Sequence, residues 1–130
     1  MSPRRVLATL ASSAVLAAGL VGLAPTSASA AYTVVARHEG GRIQMCRATV
    51  DGDQAVRFRL DNRDARIDQE GGLGRDRDGV TRQFPVRAAA GRLSATRTVL
   101  VRASDVLVGY VQSDRGGFGA EFERGELRPC

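Results

Sequence analysis

Residues 54–61, QAVRFRLD, set Val56, Phe58 and Leu60 at alternate positions with Arg57, Arg59 and Asp61 between them. A period of two puts the apolar side chains on one face of an extended strand and the charged ones on the other. A helix would scatter both sets around its circumference. The same period runs through most of the chain after residue 30. Residues 32–38 and 42–50 read as strands joined at Glu39-Gly40-Gly41. Asp51-Gly52-Asp53 makes a second turn, because Asp-Gly accepts the positive φ angles of a type I′ connection. Residues 81–87 (TRQFPVR) form another strand, which Pro85 assigns to a sheet edge or bulge because proline donates no ladder hydrogen bond. Residues 93–103, 106–114 and 118–127 supply three more, with Phe118, Ala120 and Phe122 on one face of the last. No stretch shows a sustained helical repeat.

About seven short strands at roughly even spacing predict an all-β fold. The expected form is a small antiparallel β-sandwich of immunoglobulin-like architecture, with a small β-barrel as the alternative. The likeness is one of architecture only, since the chain has no tryptophan to pack against an inter-sheet disulfide.

Residues 1–30 carry a basic start (Arg4, Arg5), a long run of Val, Leu, Ala and Gly, and Ala28-Ser29-Ala30. This is the pattern of a secretory signal peptide cleaved after Ala30. Residues 31–130 then form a single secreted β domain, with no second membrane-length apolar run and a monomeric state expected. The two cysteines, Cys46 and Cys130, suit an oxidising compartment and admit one intramolecular bridge, from an early strand to the last residue. An abundance of Arg, Ala and Gly matches the composition of proteins from high-GC bacteria.

All 19 basic residues are arginine, and removing Arg4 and Arg5 leaves 17 against 14 acids, a net charge of +3. So small an excess excludes a general polycation, and nucleic-acid binding has no strong signal. A local polyanion stripe is the narrower candidate: Arg57 and Arg59 share a strand face, and Arg47 on a neighbouring strand would extend it.

Residues 71–80, GGLGRDRDGV, look most like a site. As a calcium loop they align Gly79 with the invariant glycine, but Gly74 and Pro85 fall where ligands are needed. As a phosphate cradle they lack both the glycine spacing and the following helix. They are expected to be a solvated hairpin loop. With residues 113–119 they make two candidate partner loops, carrying Arg75, Asp76, Arg77 and Asp78, and Arg115 and Phe118. No metal or cofactor is expected.

The one histidine, His38, stands at a strand end beside Glu39, without the context of a nucleophile or a general base. Six aromatics remain after residue 30, few for a carbohydrate-binding module of the usual kind. The expectation is a non-enzymatic domain with an extracellular binding role, its partner a protein or a cell-wall polymer. Inhibition of extracellular proteases through an arginine loop is the alternative, and a small hydrolase the third.

Overall fold

The computed structural model describes residues 31–130, and the expected signal peptide lies outside them. β1 (Thr33–His38), β2 (Gly41–Val50) and β3 (Asp53–Asn62) make a meander. β4 (Gln69–Arg77) and β5 (Val80–Ala88) make a hairpin. β6 (Arg92–Leu93), β7 (Arg97–Leu100), β8 (Val106–Ser113) and β9 (Gly116–Phe122) follow. The first sheet runs β1-β2-β3, with β6 and β7 both on the far side of β3; the second runs β5-β4-β8-β9. Every pairing between these strands is antiparallel. The two sheets pack face to face as an open sandwich, not a closed barrel.

The core follows from the alternation. Ile43, Met45, Val56, Phe58 and Leu60 of the first sheet meet Leu73 and Val111 of the second, all without exposed surface. The expected faces of residues 54–61 hold, with Val56, Phe58 and Leu60 inward and Arg57 outward. Pro85 stands on an edge strand, as its missing N–H requires.

Three hairpins share one turn chemistry. Glu39 and Gly40 have φ of 49° and 83°, Asp51 and Gly52 of 50° and 87°, and Asp78 and Gly79 of 53° and 84°. Two successive positive φ angles are the type I′ signature, whose twist suits antiparallel strands.

The third of these turns overturns the loop expected at residues 71–80. Only Asp78 and Gly79 turn; residues 71–77 lie in β4, a central strand paired on both sides. Two of its three glycines answer to sterics. A Cβ on Gly71 would approach the Tyr110 carbonyl oxygen to 2.8 Å, and one on Gly72 would collide with the Phe84 carbonyl. Gly109, opposite Leu73 on β8, would likewise push a Cβ to 2.6 Å from Val35 Cγ1. The glycines let this strand pack closely against its neighbours.

Residues 93–103 also differ from the single strand expected. They hold β6 and β7, separated where the Ser94 hydroxyl accepts a hydrogen bond from the Leu60 amide at 2.8 Å. Strand β9 ends at Phe122, and a 3-10 turn at Arg124–Glu126 leads into the tail. The added strand β4 and the split of residues 93–103 into β6 and β7 turn the expected seven strands into nine among the described residues.

The tail is held at several points. Arg124 donates to the Ala55 and Ala48 carbonyls at 3.1 and 2.6 Å. Pro129 forms a parallel bridge with Arg47, beside the part of β2 that β1 leaves uncovered. Cys130 closes the disulfide with Cys46 across 84 residues, the link expected between the second strand and the C-terminus.

Candidate functional site

The outer face of the second sheet is built in rows, because antiparallel partners stand side by side. One row reads Gln83, Gly74, Val108, Glu121 across β5, β4, β8 and β9; the next reads Pro85, Gly72, Tyr110, Gly119. Glycine occupies β4 in both rows and β9 in the second, so the outer face is low on either side of β8, where Val106 and Val108 stand and the Tyr110 side chain lies nearly buried. The result is a groove of about 630 Å³ across β4, β8 and β9, with Gly74, Gly117 and Gly119 among its lining residues.

Both candidate partner stretches contribute to it. Arg75 and Asp76 of β4 and Phe118 of β9 are among its lining residues, but only Asp76 stands on the outer face; Arg75 and Phe118 pair with the buried Leu107 and Val111 and border the groove from the core-facing side. Arg77 and Asp78 stand at the end of the sheet where β4 turns into β5, and Arg115 at the opposite end, in the β8–β9 turn. The two stretches are therefore not paired loops: their strands share one sheet while their turns point to opposite ends of it.

The polar lining is unevenly committed. Asp76 accepts from the Gly79 amide at 3.1 Å and from the Thr81 hydroxyl at 3.2 Å, which braces the type I′ turn. Gln112 donates to Glu70 at 3.2 Å. Gln83 and Glu121 have no side-chain hydrogen bond or ion pair among the described residues. Tyr110 is only 8% exposed, although it is on an outer sheet face, and its hydroxyl is buried without a hydrogen-bond partner. Burial, then the Glu70 carboxylate, push its phenol above the usual tyrosine range. Val106 is 48% exposed and gives the groove apolar surface; Phe118, 56% exposed, pairs with the core residue Val111 and so starts from the opposite face of the sheet.

The arginine stripe forms only in part. Arg57 pairs with Cys46 and Arg59 with Gln44, which places both on the outer face of the first sheet. Arg47 pairs with Val56 and so lies on the opposite face of that sheet. A side-chain period of two separates residues 46 and 47, and the register decides which of them joins Arg57. Arg59 is occupied within the fold, donating to Gln44 Oε1 at 2.8 Å and lying 4.2 Å from the Tyr32 ring centroid. Arg57 donates to the Thr98 hydroxyl at 3.4 Å.

His38 ends β1 half-buried. Its carbonyl accepts from Gln69 Nε2 at 2.8 Å, and its ring Nε2 is buried without a partner. Among the described residues no group of His, Cys, Asp and Glu is arranged to hold a metal ion.

The groove glycines fall within the two stretches singled out in the sequence, but Gln83, Tyr110 and Glu121 did not stand out there. Their signal was present as the same two-residue period that marks Val56, Phe58 and Leu60, but a face shared by four strands requires the register of all four. Comparison with protein-family models, curated proteins and solved structures finds no match.

Proposed function

We propose that this chain is a secreted, non-enzymatic binding domain that holds a saccharide strand of an extracellular polymer across the outer face of its second sheet. One observation carries the proposal. Gln83 and Glu121 stand at the two ends of a single register row, their side chains unbonded within the fold, over a groove lined by glycine.

The chemistry suits a neutral, hydroxyl-rich ligand. An amide both donates and accepts, and a carboxylate accepts from hydroxyls. Val106 and Val108 offer apolar surface to the C–H faces of sugar rings, and the glycines let those rings approach the backbone. Aromatic surface is as scarce here as the six aromatics suggest, because Tyr110 is only 8% exposed and Phe118 springs from the core-facing side of β9, so the apolar contact is aliphatic. A disulfide between Cys46 and Cys130 supports an oxidising, extracellular setting. No described helix is long and apolar enough to cross a membrane. The inhibitor alternative is less well supported, because Arg115 stands in a tight reversal between paired strands and not on an extended segment.

The test is retention on insoluble glycans (purified peptidoglycan, cellulose and chitin), with soluble fragments as competitors. Gly74→Val is the decisive variant. A Cβ at Gly74 meets nothing nearer than Val108 Cβ at 3.7 Å, so the fold should persist while the groove is filled. Loss of about tenfold in affinity is expected. Retention on none of the glycans, or equal retention of the folded variant, would sink the proposal.

A further inference from the structure

The open flank of the sandwich, where β4 and β5 of one sheet face β7 of the other, is closed by arginines in place of apolar side chains. Arg75, Arg82 and Arg97 converge on the ring of Phe84, at 5.0, 5.6 and 5.5 Å from its centroid. Two of them cross between the sheets. Arg75 donates to the Leu100 carbonyl at 2.9 Å and Arg97 to the Pro85 carbonyl at 3.0 Å.

None of the three pairs with a carboxylate among the described residues. The acid that stands close, Asp105, has a side chain with no exposed surface and is spent elsewhere. It takes a two-pronged pair from Arg77 at 2.8 and 2.7 Å and accepts from the Arg102 amide at 2.7 Å. Arg75 Nε is buried and bonds to nothing. Burial first, then the Arg77 charge, hold the Arg75 guanidinium below the usual arginine range, with Arg82 and Arg102 adding to the repulsion. The fold therefore gathers cations here and leaves them unneutralised, on a molecule of small net charge.

We propose that this flank is a second binding site, for a polyvalent oxyanion of the phosphate or sulfate type, held by Arg75, Arg82 and Arg97 around Phe84. Planar guanidinium forks match the oxygen pairs of such anions, and the ring keeps the forks oriented without consuming their N–H groups. A seated anion relieves the repulsion among the three, so binding stabilises the fold as well. The site differs in chemistry from the saccharide groove and does not depend on it, although Arg75 borders both.

The test is titration calorimetry at low salt with inorganic tripolyphosphate in one arm and dextran sulfate in the other, with melting temperature followed in parallel. Binding in either arm that weakens as salt rises is expected, and the stronger arm distinguishes a phosphate-type from a sulfate-type anion. Arg82 makes no hydrogen bond or ion pair in the described structure, so Arg82→Gln should melt like the parent without anion and bind about tenfold more weakly. Arg97→Lys keeps the charge but loses the fork, and should fall between the two. Arg115→Gln, the same charge change at the far end of the sheet, should bind as the parent does. Failure to bind in both arms overturns the site, as does parent-like affinity in Arg82→Gln. Equal losses in Arg115→Gln and Arg82→Gln overturn it too, by showing that net charge alone was being read.

Discussion

Asp61 shows how one residue can carry a charge into the fold and be compensated there. Its side chain is 2% exposed, yet it accepts from Arg63 Nε at 2.9 Å and Nη2 at 3.0 Å, and from Arg42 Nη2 at 3.3 Å. The Arg63 hydrogen bond holds its carboxyl down at about 2, from an ordinary 3.8, against burial, which acts in the opposite direction. A carboxyl lowered on folding stabilises the native state above its unfolded value and loses that contribution as pH falls through the folded one. Stability should therefore drop between about pH 4 and pH 2, by on the order of 2 kcal/mol from this group. Asp61→Asn should lose a similar amount at neutral pH and flatten that acid limb, as thermal melts across the pH range will measure. Gly109→Ala is a steric counterpart. Its methyl would press on Val35 and Met45, and about 1–3 kcal/mol of destabilisation is expected in urea unfolding.

At the scale of elements, the β4–β5 hairpin carries the lesson. Asp78-Gly79 repeats the signal of Asp51-Gly52, and Asp78 adopts a φ of 53°. Asp78→Val places a β-branched residue in the left-handed region and should cost roughly 1–2 kcal/mol, whereas Asp78→Asn should be nearly neutral. Urea midpoints for the two variants check this. The Asp-Gly pair carries the same turn signal as Asp51-Gly52, but the glycines before it make the whole stretch read as loop, because strands usually avoid glycine. What the composition could not convey is that Gly71 and Gly72 are demanded by close neighbours on β8 and β5. A strand whose glycines make room for its neighbours and one that has dissolved into a loop look the same until the neighbours are known.

At the scale of the whole molecule, the disulfide ties the last residue to the second strand across 84 residues. The chain-entropy account assigns a loop of that length about 4–5 kcal/mol, so Cys46→Ser with Cys130→Ser should lower the melting temperature sharply. Loss of the bridge should also release the tail hydrogen bonds to Arg47, visible as faster amide exchange at Arg47 and Cys130. The sequence by itself determined the all-β class, the one possible intramolecular bridge, the apolar face of residues 54–61 and the Asp51-Gly52 turn. Each of these follows from local periodicity, local backbone preference or the count of two cysteines. Tertiary structure decided that residues 71–77 form a central strand and that Arg47 lies across the sheet from Arg57. It also set Gln83 and Glu121 at the ends of one row, and gathered Arg75, Arg82 and Arg97 at one ring. Those outcomes turn on register and on which strands become neighbours. A slip of one residue moves every side chain of a strand to the other face, and no local stretch of sequence encodes the alignment of strands far apart in the chain.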